Sequence, residues 1–232
     1  MHAGQKLKIL GVLGNGFPIE KADGKSIFVM GGGIGIPPML QTVISLQQRG
    51  EAKNINAVLG YRSERFLMEE FTQHCLAYAA TEDGSYGTKG NVMDLVREHD
   101  LKGDMIFACG PMPMLRAVKE FAQANNIEAY ISLEERMACG VGACLGCVCK
   151  TKETDAHSKV HNARICTDGP VFEAGSALLD HIGDAVGEGA GRARAGTGNH
   201  HHGAFYGGNG LTLRLVKVFH QVYHYWKIGL QR

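Results

Sequence analysis

At 232 residues, with 44% hydrophobic side chains and a formal charge of +1, the chain has room for one large or two small domains. No apolar run approaches the ~18 residues of a membrane span. The near-neutral total hides an asymmetry: residues 189–232 hold six Lys or Arg and no acid, leaving 18 basic against 23 acidic groups elsewhere, a mildly acidic bulk that argues against nucleic acid as a partner.

In chain order, Lys6 to Leu10 reads as a strand, followed by the glycine-rich turn Gly11 to Phe17. Residues 26–135 then read as repeated strand–helix units. The apolar runs Ser26–Met30, Ile55–Leu59, Leu76–Ala80, Met105–Ala108 and Ala129–Leu133 predict five strands. Between them, Met39–Gln48, Phe66–Gln73, Val92–His99 and Met112–Ala124 predict helices; the last is the clearest, with Leu115, Val118, Phe121 and Ala122 on one face. Strands alternating with helices imply an α/β fold, a parallel sheet with helices on both faces. Beyond Ser176 the composition changes. Gly183 to Gly210 contains ten glycines in 28 residues and the run His200 to His202, the composition of a disordered linker. Leu211 to Trp226 is apolar and basic, which suits either an amphipathic helix or sequence never selected to fold.

The sharpest motif is Cys139-Gly-Val-Gly-Ala-Cys144-Leu-Gly-Cys147, followed after eighteen residues by Cys166. This C-x4-C-x2-C…C spacing is that of plant-type [2Fe–2S] proteins. Two irons bridged by two sulfides need four thiolates within a few ångströms. A tight glycine-bearing loop supplies three and the chain must return with the fourth. A four-cysteine structural zinc site is the competing reading. Cys149 reads as a buried thiol, because four ligands are already supplied. With four of seven cysteines in this pattern and no apolar signal core in Met1 to Lys6, reduced thiols in the cytoplasm are expected, not a secreted disulfide framework.

Three segments at expected strand ends carry nucleotide-binding signals. Gly31, Gly32, Gly33 and Gly35, with Pro37 behind them, lie where the first strand meets the first helix, and amides there attract a pyrophosphate. Cys109, Gly110, Pro111 and Met112 form a second strand–helix turn. Glu82 and Asp83 occupy a third loop, where a carboxylate could accept from a ribose and would repel a 2′-phosphate. Each has a plainer reading: a turn that needs glycine for packing, a buried thiol, a solvated loop.

Gly14–Phe17, Gly31–Pro38, Ala80–Gly87, Ala108–Met112, Ser132–Cys147 and Cys166–Phe172 together resemble the electron-transfer subunit of NAD-dependent, type B dihydroorotate dehydrogenase, within the ferredoxin–NAD(P) reductase superfamily. The resemblance covers residues 5–175. It implies a ferredoxin-reductase-like nucleotide domain followed by a small cluster domain. It implies FAD and one [2Fe–2S] cluster on Cys139, Cys144, Cys147 and Cys166, NAD held by the Gly31–Pro38 and Cys109–Met112 turns, and Gly14, Asn15, Gly16 and Phe17 near the flavin. The implied partner is the FMN-containing dihydroorotate dehydrogenase catalytic subunit, in a heterotetramer of pyrimidine biosynthesis, with no membrane. No catalytic residue is assigned to this chain; dihydroorotate chemistry would belong to the partner.

The expected organisation is 1–21, the last segment of an FAD-binding barrel; 22–135, the NAD-binding domain; 136–175, the cluster domain; and 176–232, a disordered tail unlike the family. With so little of the barrel, the expectation is that this chain alone does not hold FAD stoichiometrically and is not active alone. The alternatives are a related ferredoxin–NADP reductase or sulfide dehydrogenase subunit, a zinc-stabilised binding module, and an inactive truncated remnant.

Overall fold

The computed structural model describes Lys6 and residues 13–135, 137–154, 159–177 and 179. The expected strand from Lys6 to Leu10, the glycine-rich stretch Gly183–Gly210 with His200 to His202, and the amphipathic stretch Leu211–Trp226 lie outside the described residues, apart from Lys6 itself.

A seven-stranded sheet organises the chain. Its centre is β1 (Ser26–Gly32), flanked by β2 (Asn54–Tyr61) and β5 (Met105–Cys109). Beyond β2 lie β3 (Leu76–Thr81) and the two-residue β4 (Thr88–Lys89); beyond β5 lie β6 (Glu128–Ser132) and β9 (Val171–Glu173). The first six are parallel, with Ile27 opposite Ile55 on one side and Met105 on the other. Ile27 to Met30 are fully buried, which explains why β1 reads as an unbroken apolar run: both of its faces are covered.

Helix α1 (Ile36–Arg49) covers one face, with α2 (Met68–Thr72) beside it. Helices α3 (Val92–Glu98) and α4 (Met112–Ala124) cover the other. Alternation along β1 sends Phe28 and Met30 into a core with Leu95, Leu115, Val118 and Ile131. Pro37 and Pro38 start α1 where a missing N–H costs no helical bond, and Gly50 at φ 73° ends it. Asn91 caps α3 with its side-chain oxygen, and Asp94 reciprocates. Helix α2 is shorter than the apolar pattern predicts, because Leu67 sits in the left-handed region at φ 60° and delays the first turn.

Four short strands were not predicted: the two-residue β4 at the sheet edge and three in the cysteine-rich segment. β7 (Val148–Lys150) and β8 (Asn162–Arg164) form an antiparallel hairpin, and β9 returns to pair antiparallel with β6, with Ile131 opposite Phe172. The cysteine-rich segment is therefore built onto the sheet. Cys147, Cys149, Ile165, Cys166 and Ala174 share the hydrophobic core with α3 and α4. The packing runs past Ser176, where disorder was expected to begin. Ala177 and Leu179 are buried, and Lys119 and Arg116 of α4 donate to their carbonyl oxygens at 2.7 and 3.1 Å.

Candidate cluster and dinucleotide sites

The hairpin brings the distant cysteine home. Val148 pairs with Arg164, and the Ile165 N–H donates to the Cys147 carbonyl at 3.0 Å. Cys147, just before β7, and Cys166, just after β8, therefore meet despite the eighteen residues between them, and their thiols contact each other. Both are buried. Cys139 and Cys144 form a second pair: the Cys144 N–H donates to the Cys139 sulfur at 3.3 Å. Gly140 and Gly142, at φ 69° and 76°, turn the loop back on itself. Arg164 braces it, paired with Asp168 at 3.3 Å and donating to the Gly142 carbonyl at 3.5 Å.

Main-chain N–H groups of Cys144, Val141 and Ala143, together with the Cys144 side chain, converge on Cys139 and pull its thiol down to about 6, favouring the thiolate that binds metal. Cys166 is shifted up, first by its contact with Cys147 and then by burial. Among the described residues no three His, Cys, Asp or Glu side chains converge as ligands of a single ion. The thiols group as Cys139 with Cys144 and Cys147 with Cys166, and Cys166 also feels the charge of Cys139, an arrangement that suits a cluster with two thiolates on each iron. Cys149 is buried on β7 opposite Ala163, where desolvation pushes its thiol up to about 11.

At the carboxyl edge of the sheet, strand order runs outward both ways from β1, towards β2 on one side and β5 on the other, the position at which open α/β sheets hold ligands. A cleft of about 580 Å³ opens there. Of the residues expected from sequence, Gly32, Gly33, Glu82 and Pro111 line it. The others have different places. Gly31 backs onto Ile36 of α1, and a Cβ on Gly35 would collide with the Cys109 carbonyl, so Gly35 lets the β1 turn pack on β5. Pro37 starts α1. Gly110 packs against Met114, and Met112 against the core. The Asp83 carboxylate accepts from the Ser85 N–H at 3.0 Å, which holds it below its usual range and turns it into its own loop. Cys109 is half-buried at the end of β5. Burial pushes its thiol to about 11, against a hydrogen bond from Ser132 on the neighbouring strand.

Sequence reasoning missed Gly60 and Tyr61 at the end of β2 and Arg62 after it, Asn91 and Met93 at the start of α3, and Met114 of α4, all of which line the cleft. The end of β2 carries the same signal as the other strand ends and could have been included. Gly14, Asn15, Gly16 and Phe17 are not among the residues that line this cleft. Asn15 is tied to the turn after Cys166, with its N–H donating to the Gly169 carbonyl at 2.7 Å, and the Phe17 ring lies 5.2 Å from that of Phe107.

Residues 134–177 match the model of the iron–sulfur cluster binding domain of dihydroorotate dehydrogenase B, and residues 29–120 that of an oxidoreductase NAD-binding domain. The cluster cysteines and all the cleft-lining residues fall inside these spans. The chain is 43% identical over 181 residues to the dihydroorotate dehydrogenase B (NAD(+)) electron transfer subunit of Bacillus velezensis, covering 76% of this chain and 67% of that one. It is 44% identical over 179 residues to the subunit of the same name from Bacillus caldolyticus, covering 76% and 66%. The chain thus spans about two thirds of the length of these relatives. A solved chain of NADH-dependent reduced ferredoxin–NADP oxidoreductase superposes with a TM-score of 0.64 at 26% identity, covering 75% of this chain and 60% of that one. With both domain models matched in order and this identity along the shared length, the chain belongs to the family of electron transfer subunits of NAD-dependent dihydroorotate dehydrogenase B.

Proposed function

We propose that this chain relays electrons between NAD(H) and an FMN-containing dihydroorotate dehydrogenase catalytic subunit, serving pyrimidine biosynthesis in the cytoplasm. Cys139, Cys144, Cys147 and Cys166 would hold a [2Fe–2S] cluster, and the β1 and β5 turns with Glu82 would hold the dinucleotide. When bound, FAD and the cluster supply the conversion of a hydride's electron pair into single electrons. The protein's part is placement. Gly32 and Gly33 leave room for a pyrophosphate over β1, Pro111 and Met114 wall the opposite side, and the Cys147–Cys166 pair is packed into the same core as the strands below the cleft. That shared core is the observation that carries the reading: the two sites belong to one compact unit.

The partner would dock over the cluster loop. Met137, Val141 and Leu145 are 51%, 55% and 78% exposed around the thiols, a run of large apolar side chains at the place where electrons must leave. Among the described residues no helix is long and apolar enough to cross a membrane.

The test is to mix the purified chain, supplied with FAD, with a family catalytic subunit, dihydroorotate and NAD. The expected result is a co-eluting heterotetramer and NADH formation that requires this chain. No complex and no NADH with FAD present would overturn the proposal. The likeness to the ferredoxin–NADP oxidoreductase chain favours one second reading, a reductase that exchanges electrons with a ferredoxin; electron transfer to ferredoxin in place of the catalytic subunit would establish it.

A further inference from the structure

Two charged side chains line the cleft among the described residues, and they face each other: Arg62 and Glu82. They follow β2 and β3 at the carboxyl edge. Tyr61 is in register with Thr81, and the Glu82 N–H donates to the Tyr61 carbonyl at 3.2 Å, so the two residues leave their strands side by side. The Arg62 Nε lies 3.8 Å from the Glu82 carboxylate, with the two side chains 88% and 67% exposed. So open a pair is weak and can be remade by a ligand. The loops behind are fixed to each other, because the Arg65 guanidinium stacks 3.6 Å above the Tyr86 ring.

The direction of a bound dinucleotide follows from the fold. The thiol pairs hang from the β6 and β9 side of the sheet, so the nicotinamide must point that way, from the pyrophosphate over β1 towards β5. The adenosine then lies over β2 and β3, and its ribose reaches Arg62 and Glu82. A carboxylate there accepts from a 2′-hydroxyl and an arginine receives a 2′-phosphate. This chain carries both. Asp83 does not add to the carboxylate, since Ser85 holds it in its own loop.

We propose that Glu82 is the specificity-determining residue of the cleft, and that it enforces preference for NAD by accepting from the ribose 2′-hydroxyl and by setting its negative charge beside Arg62, which would otherwise bind the 2′-phosphate of NADP. With Glu82 in place, a 2′-phosphate that reaches Arg62 also meets a like charge, about −1.5 to −2 against −1. Without it, Arg62 is a planar phosphate receptor at the right place.

The inference rests on reading the cleft as the dinucleotide site, and the test separates the two. Equilibrium binding of NADH and NADPH to the full chain is followed by nicotinamide fluorescence and calorimetry for wild type, E82Q, R62Q, the double variant and D83N, with circular dichroism to confirm folding. Wild type is expected to bind NADH more tightly. In E82Q the NADH-over-NADPH ratio should fall by at least about tenfold, the size of one charge-assisted hydrogen bond, with NADPH gaining affinity. Adding R62Q should remove that gain, and D83N should leave the ratio as in wild type. An unchanged ratio in folded E82Q, or a gain that survives R62Q, overturns the inference while leaving the cleft reading intact. Wild type that binds neither dinucleotide overturns both.

Discussion

The side chain of Asn15 donates to the main-chain carbonyl of Asp168 at 3.2 Å, joining residues 153 positions apart in sequence. Its oxygen also accepts from the Val171 N–H at 3.3 Å. The segment entering the sheet from the N-terminal side is thereby fastened to the turn that follows Cys166 and leads into β9. Whatever positions the entering segment also positions the last cluster ligand.

The neighbouring Gly14 is the tightest point of that fastening. It sits at φ 67°, and a Cβ there would collide with the Gly169 carbonyl. G14A is expected to lower stability by about 2 kcal/mol or more, as left-handed strain and backbone displacement combine. N15A should lose about 1 kcal/mol, one exposed and one part-buried hydrogen bond being worth less than two buried ones. Urea midpoints check both, and G14A with a wild-type midpoint would show that the contact is not maintained in solution.

Glu128 at the start of β6 gathers the Tyr130 hydroxyl at 2.7 Å, Lys25 at 3.1 Å and Lys21 at 3.3 Å, and Lys21 also donates to the Tyr130 oxygen. The Tyr130 hydrogen bond, then the two lysines, hold its carboxyl down to about 2 from 4.5, against the opposing effect of burial. A depressed carboxyl adds stability above its unfolded value and loses it as pH falls through the folded one. E128Q should therefore be less stable than wild type by about 1 kcal/mol at pH 7, after allowing for solvent screening. The difference should shrink between pH 4.5 and about 2. Denaturation of both proteins across that range measures it; a pH-independent difference would mean that the carboxylate's charge plays no part.

Burial pushes the thiols of Cys75, Cys109 and Cys149 up to about 11. At pH 8 only about one in a thousand of each would be thiolate. Iodoacetamide should therefore label them slowly in the cluster-loaded protein, with a rate rising about tenfold per pH unit towards 11. Peptide mass mapping reads this, and fast labelling of Cys109 at pH 8 would show it to be more open than the structure has it.

Leu145 projects from the cluster loop with 78% of its surface exposed. If the catalytic subunit docks there, L145S should weaken the complex at least about tenfold, as loss of an apolar anchor does. The visible spectrum of the cluster should stay as in wild type. Calorimetric titration of one subunit into the other is the measurement, and unchanged affinity would move the interface elsewhere.

The parts of the fold legible in sequence are those with a long enough period. Helix α4 begins and ends where its 3.6-residue pattern does, at Met112 and Ala124, and β1 shows itself by five consecutive apolar or small residues. The three-residue strands β7, β8 and β9 carry no period, and β9 finds its place only because β6 offers an edge forty residues back. At the site, cysteine spacing points to the thiols, but their grouping into two pairs depends on the hairpin. Glu82 and Asp83 are indistinguishable in sequence; a turn closed by the Ser85 N–H decides which one faces the cleft. In the turn Gly14 to Phe17, sequence does not show that Asn15 gives both its polar atoms to the segment behind Cys166, because its partners lie more than 150 positions away.

The central claim, that these four cysteines hold a two-iron cluster, is tested most directly by metal and sulfide analysis of anaerobically prepared protein, with electron paramagnetic resonance after reduction. The account predicts a brown protein with two irons and two sulfides per chain and a signal on one-electron reduction, lost in C144S and in C166S and kept in C149S. A colourless protein with one zinc per chain, or a cluster that survives C144S undiminished, would contradict it.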